Sequence, residues 1–181
     1  MARVCPWQHV RTFDNFLRFF IHNPEKMYAP YVEPGMKAMD MGCGAGFASL
    51  GLAKMVGETG KVFAVDLQPE MLEMVKARAE KAGISDRIVT HQCSQDDIGL
   101  TDSFDFVNAF YMVHELPDTE RFFSQVRSLL SPDGKFFIAE PIFHVSSKQF
   151  TKMLGIADSA GLKEHDRPKI RFSKAVVLAK D

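Results

Sequence analysis

Two residue rhythms alternate along this chain, and their alternation constrains its fold more than any other feature. From Lys37 onward, short apolar runs repeatedly give way to stretches with the period of a helix. Residues 37–41, 61–66, 87–91, 104–110 and 135–140 read as strands, and two closing strands follow near 162–167 and 173–179. Between them, residues 47–56, the stretch from Pro69 to Gly83, the stretch capped by Asp118 and residues 147–160 read as helices. Met71, Leu72, Val75, Ala79 and Ala82 share one helical face, and Phe122, Val126, Leu129 and Leu130 share another. Ser131-Pro132-Asp133-Gly134 reads as the turn that ends the latter helix. Apolar strands alternating with helices imply a parallel sheet covered on both faces, hence the α/β class. Ligands of such sheets sit beyond the carboxyl ends of the strands, where the winding reverses.

Residues 1–36 differ in character. Phe13, Phe16, Leu17, Phe20 and Ile21 fall on one helical face, with Thr12 as cap and Asn23-Pro24 as stop. Pro24 suits the first position of a second short helix that carries Met27, Tyr28 and Tyr31 on one side. Few basic residues accompany the phenylalanine stripe, which argues against a membrane surface. Residues 1–181 are therefore read as a single domain, with 1–36 a helical N-terminal lid and 37–181 the ligand-binding core. The formal charge of −1 gives no electrostatic case for nucleic acid. Cys5, Cys43 and Cys93 are scattered and in no metal-ligand spacing, so no metal is expected and free thiols in a reducing cytoplasm are the simplest reading. No signal peptide or membrane-spanning run stands out.

The first junction between strand and helix carries the chemistry. Asp40-Met41-Gly42-Cys43-Gly44-Ala45-Gly46 places glycines on alternate positions behind an acid. Only glycine combines free access to positive φ with the lack of a Cβ, so a ligand can lie against this backbone. The helix that follows offers unpaired N–H donors. An acid about 20 residues on, Asp66, completes a nucleotide-type pattern. A nicotinamide site would require G-x-G-x-x-G, but the third glycine is replaced by Phe47 in one register and by Ser49 in the other. The spacing disfavours a nicotinamide-dependent dehydrogenase.

The order of motifs resembles the class I S-adenosylmethionine-dependent methyltransferases. The resemblance rests on Met39-Asp40-Met41-Gly42-Cys43-Gly44-Ala45-Gly46, Val62-Phe63-Ala64-Val65-Asp66, Phe104-Asp105-Phe106-Val107, Met112-Val113-His114-Glu115-Leu116-Pro117-Asp118 and Leu129-Leu130-Ser131-Pro132-Asp133-Gly134-Lys135-Phe136. It implies a Rossmann-like three-layer sandwich around a seven-stranded, mostly parallel sheet with an antiparallel last strand. It implies S-adenosyl-L-methionine as cofactor and S-adenosyl-L-homocysteine as product. Gly42, Cys43, Gly44 and Gly46 would then surround the methionine moiety, with Asp40 facing its amino and carboxylate groups. Asp66 would accept both ribose hydroxyls, a task its two acceptor oxygens suit, and Leu67 would pack on the adenine. Ser94 stands where many relatives carry an adenine-binding aspartate, so the Ser94 hydroxyl or Asp96 is expected to take that contact, with Gln95 and Phe110 also among the cofactor-binding residues the resemblance implies. The segment Asn108-Ala109-Phe110-Tyr111 superficially resembles the Asn-Pro-Pro-Tyr loop of nucleic-acid amino-methyltransferases. It lacks both prolines, and Asn108 falls inside the strand.

His114 stands where small-molecule methyltransferases of this type often carry a histidine, and could deprotonate an acceptor. Tyr111, Glu140, His144 and Phe143 lie at strand ends where an acceptor would be touched. The N-terminal segment covers the site in this family, so Trp7, Arg11 and Phe13 are expected to help form the acceptor pocket. The expected partner is a small-molecule acceptor, with no nucleic acid and no membrane, acted on by a cytoplasmic monomer or homodimer. A non-catalytic S-adenosylmethionine-binding domain, or one subunit of a heterodimer, is the alternative: it predicts the same glycine loop without room for an acceptor.

Overall fold

A computed structural model of the chain describes residues 21–181. The helix expected from Thr12, with Trp7, Arg11 and Phe13, lies outside the described residues. Helix α1 spans Pro24–Tyr28, with the Asn23 side chain accepting from the Lys26 N–H at its start, as the Asn-Pro pair predicts. Its Tyr28 is fully buried, edge-on to Phe137 at 5.1 Å and tilted against Phe106 at 5.4 Å. This part of the segment read as a lid thus packs on the sheet.

The rest alternates as the rhythms predict: β1 Lys37–Met41, α2 Phe47–Met55, β2 Lys61–Asp66, α3 Pro69–Ala82, β3 Ile88–Gln92 and β4 Phe104–Phe110. They are followed by α4 Thr119–Leu129, β5 Leu130–Pro141, α5 Ser147–Ser159, β6 Leu162–Asp166 and β7 Ser173–Lys180. All strands join one seven-stranded sheet in the order β3-β2-β1-β4-β5-β7-β6. β1 to β5 pair in parallel, while β7 runs antiparallel to both β5 and β6.

Period-two alternation decides which side chain faces which layer. Met39, Val107, Phe136 and Ile138 point to the layer holding Phe122, Phe123 and Val126 of α4 and Phe150 of α5. Ala38, Phe106, Phe137 and Val177 point the other way, to α1 and to Phe47, Ala48 and Leu52 of α2. Aromatic residues on α4, β4 and β5 fill both layers, and each full burial contributes about 1.5–3 kcal/mol.

Two element starts depart from the sequence reading. β3 begins one residue later than read from the sequence, because Ser85–Arg87 forms a turn of 3-10 helix first. β5 begins at Leu130, five residues earlier than expected, and takes in the Ser131–Gly134 stretch read as a turn. Leu130 already pairs with Phe104, and the register then shifts before Phe106 meets Lys135. The Pro-Asp-Gly chemistry is spent on an irregularity inside the strand. At Gly134 a Cβ would stand 2.8 Å from Leu130 Cγ, so only glycine fits there.

Candidate functional site

α2 and α4 pack on opposite faces of the sheet, yet the strands that lead into them, β1 and β4, are neighbours. The winding reverses between these two strands, and a cleft of about 740 Å³ opens beyond their carboxyl ends. Its floor is the glycine loop. Gly42 and Gly44 adopt φ of 63° and 52°, and Gly46 caps α2 at 88°. A Cβ at Gly42 would lie 2.9 Å from Met112 Cβ, because the loops after β1 and β4 meet there. A Cβ at Gly44 would meet nothing within 4 Å. Gly42 and Gly44 line the cleft, and Gly44 borders open space where a ligand can touch backbone.

Asp40 lies beneath this floor. It is 2% exposed, with Oδ1 accepting from Asn108 Nδ2 at 2.7 Å and Oδ2 accepting from Ser49 Oγ at 2.5 Å. Asn108 is its register partner on β4, as the position inside the strand requires. The carboxylate therefore ties β1, β4 and the first turn of α2 together under the loop and does not line the cleft. Cys43 and Gly46 also sit behind the wall, with Gly46 against Val75 of α3.

Asp66, at the tip of β2, does face the cleft. Its Oδ2 accepts from the Gly44 N–H at 2.9 Å and its Oδ1 from the Gln68 N–H at 3.0 Å. Each oxygen keeps acceptor capacity for a further donor. Burial raises the carboxyl above its ordinary range, and the backbone N–H bonds pull it part of the way back. Leu67, Cys93, Ser94, Gln95 and Asp96 continue the same wall. Ser94 Oγ is engaged with Asp96 Oδ1 at 3.1 Å and receives the Asp97 N–H at 3.1 Å, which shapes the loop. Burial pushes the Cys93 thiol up to about 11, and burial with the Asp40 and Asp66 charges holds the Cys43 thiol well above its usual range. Neither is a thiolate nucleophile at neutral pH.

The opposite wall is aromatic and carries His114. Phe110 stacks on Tyr111 with ring centroids 4.2 Å apart. Tyr111 holds a left-handed φ of 63°, fixed by its N–H to Ala139 O at 2.8 Å and its hydroxyl to Ser173 Oγ at 2.7 Å. His114 lies in a short 3-10 turn, Val113–Glu115, and its Nδ1 approaches Glu140 Oε2 at 2.5 Å. Against an ionised Glu140, which only accepts, Nδ1 carries the proton and Nε2 of the neutral ring is the base. Glu140 is completely buried, and its Oε1 accepts from the Val113 N–H at 2.9 Å. Glu140 thus acts on the cleft through His114, while His114 lines it directly. The hydrogen bond to Glu140 raises the imidazole above its ordinary 6.5, against the opposing effect of partial burial. His144 stands edge-on to His114, centroids 6.0 Å apart, and also lines the cleft.

Sequence reasoning missed several lining residues: Gln68 and Met71 at the start of α3, Met112, Arg121 on α4, and Phe172 before β7. Position at a strand's carboxyl end would have flagged Gln68 and Met112. Arg121 and Phe172 approach from elements whose packing no local pattern reveals. Ile21 and His22 are the described members of the N-terminal segment that reach the cleft. No group of His, Cys, Asp or Glu among the described residues could hold a metal ion, and none of their helices is long and apolar enough to cross a membrane.

Comparison with known proteins yields a consistent set of relatives. A family profile described as a methyltransferase domain matches residues 32–173. The chain is 31% identical over 110 residues to a demethylmenaquinone methyltransferase of Lactobacillus johnsonii, an alignment covering 60% of this chain and 45% of that protein. It is 30% identical over 143 residues to a 2-phytyl-1,4-naphtoquinone methyltransferase of Trichormus variabilis, covering 73% of this chain and 62% of the other. The match thus spans about half the length of these curated relatives. A crystal structure of a SAM-dependent methyltransferase from Aquifex aeolicus superposes with a TM-score of 0.87 at 25% identity, covering 97% of this chain and 98% of that one.

Proposed function

The chain belongs to the methyltransferase-domain family matched over residues 32–173, and from that premise we propose that it transfers a methyl group from S-adenosyl-L-methionine to a small, largely apolar acceptor carrying an acidic hydroxyl. The observation that carries the reading is the facing of two walls. Asp66 and the glycine loop form one, the Glu140-oriented His114 with its aromatic neighbours the other, and one cleft lies between them.

The fit to the cofactor is local. Gly44 leaves open the space that a Cβ would fill, Asp66 offers acceptor capacity to two ribose hydroxyls, and Leu67 supplies an apolar surface for the adenine. The bound cofactor supplies a methyl group already activated by its sulfonium. Orientation and exclusion of water are therefore the main tasks left to the chain, and alignment can lower the barrier by several kcal/mol. Backbone at Gly42 and Gly44 faces the methionine portion, and Asp40 serves it from below by fixing the loop to β4. His114 takes the acceptor's proton on Nε2 while Glu140 holds Nδ1–H and stabilises the imidazolium that forms. Phe110, Tyr111, Phe143 and His144 shape the acceptor side, with Trp7, Arg11 and Phe13 of the N-terminal segment as further contacts. A cytoplasmic setting suits the two protonated thiols, and a domain of core plus lid belongs to the same reading.

The quinone names of the relatives point to hydroxylated aromatic rings as first acceptors to try. Incubated with S-adenosylmethionine and a panel of hydroxynaphthalenes, the protein is expected to release S-adenosylhomocysteine in an acceptor-dependent manner. Release of product with no dependence on any acceptor, or binding of cofactor without turnover across apolar hydroxylated, amine and thiol acceptors, would overturn the catalytic reading in favour of a cofactor-binding subunit.

A further inference from the structure

The large apolar side chains left exposed among the described residues are not scattered. Val89 is one; of the others, Phe143 and Phe172 line the cleft and Ile142 is hydrogen-bonded to Phe172 beside them. Phe143 is 79% exposed and lies 6.2 Å from the Phe172 ring. The loops that carry them are joined, since the Ile142 N–H donates to Phe172 O at 3.1 Å and Lys174 Nζ donates to Val145 O at 2.7 Å. Phe172 sits at a left-handed φ of 57°, which costs a bulky residue about 1 kcal/mol or more. Held this way, a strained residue keeps an apolar ring in water, an arrangement that hydrophobic burial alone does not explain.

Charge is equally one-sided here. The stretch 141–157 contains Lys148 and Lys152 with no acid, and 167–180 contains Arg167, Lys169, Arg171, Lys174 and Lys180 with no acid. Arg167 is paired with Glu164, whereas Arg171 lies over the Phe172 ring at 5.0 Å. The acids that line the cleft, Asp96, Asp97, Glu115 and Asp118, come from the loops after β3 and β4 and not from these two loops. A net charge of −1 over the whole chain therefore conceals an apolar and basic rim on one side of the cleft.

We propose that the loop between β5 and α5 and the loop between β6 and β7 form a docking surface for an anionic phospholipid bilayer. Aromatic rings enter the interface between headgroups and chains, and Lys169 and Arg171 meet the lipid phosphates. The phenylalanine-rich stretch of residues 13–20 has few basic residues for this role; these loops have both components. If the methyl-transfer reading above holds, the acceptor enters the cleft from the lipid past Phe143 and Phe172. The docking itself does not rest on that reading.

Sedimentation of the full chain with vesicles tests the proposal. The chain is expected to pellet with vesicles of phosphatidylcholine mixed with an equal part of phosphatidylglycerol, and far less with phosphatidylcholine alone or at high salt. Lys169→Glu combined with Arg171→Glu is expected to reduce the bound fraction roughly tenfold or more. Phe143→Ser, at an exposed position that folding does not need, is expected to lose binding as well. Equal binding to both vesicle types, no binding to either, or full binding by either variant would overturn it. Affinity of the charge-reversed variant for S-adenosylmethionine should be unchanged, which separates failure of docking from failure of the methyl-transfer reading.

Discussion

At the scale of single residues, each carboxylate is distinguished by what occupies it. Asp40, Asp66 and Glu140 all end strands and look alike in sequence, yet they do different things. Asp40 is consumed by Asn108 and Ser49, Glu140 by Val113 and His114, and Asp66 alone faces the cleft. Glu140, expected to touch an acceptor, has its side chain turned by the sheet toward the 3-10 turn that carries His114. A raised imidazole has a definite sign in its effect on stability. Its contribution is present in full below the ordinary value of 6.5 and is lost as pH rises through the higher folded value. Following the His114 ring by NMR through a pH titration should give a midpoint above 6.5, and Glu140→Gln should move that midpoint down. The same substitution should reduce the stability advantage at acid pH. A midpoint that does not respond to Glu140→Gln would remove the dyad.

At the scale of elements, the sequence was informative wherever periodicity and caps agreed. Asn23-Pro24 opened α1, Asp118 capped α4, and β1, β2 and β4 fell on the residues their apolar runs marked. It was silent where turn chemistry is used inside a strand, as at 131–134, because Pro-Asp-Gly carries no mark of the register shift it serves. The loop after β1 makes the strongest prediction at this scale. Gly42 combines a left-handed backbone with a Cβ position 2.9 Å from Met112, so both causes act against any side chain. Gly42→Ala should destabilise by about 2 kcal/mol, which lowers Tm by roughly 4–8 °C in a chain of this size. An unchanged melting temperature would mean that the loops after β1 and β4 are not packed against each other.

At the scale of the whole molecule, the sheet order follows from the alternation of strand and helix, and the cleft follows from the sheet order. The places of the glycine loop and Asp66 were legible because they depend on local backbone and on a fixed position in the β-α-β unit. The wall opposite Asp66 was less legible: it assembles Tyr111 and His114 from the connection after β4, Arg121 from α4 and Phe172 from the loop before β7, and only the fold brings these together. The exposed rim at Phe143 and Phe172 was illegible for the same reason, since the two loops are far apart in sequence and are brought together by the antiparallel pairing of β5 and β7.

The central claim, that this cleft is built for a sulfonium nucleoside gripped by Asp66 and the glycine loop, is tested most directly by calorimetric titration. The full chain should bind S-adenosylmethionine and S-adenosylhomocysteine and give no heat with NAD. Asp66→Ala should weaken both by about 1–3 kcal/mol through the lost ribose hydrogen bonds. Binding of NAD without response to the sulfur ligands, or undiminished affinity in Asp66→Ala, would contradict it.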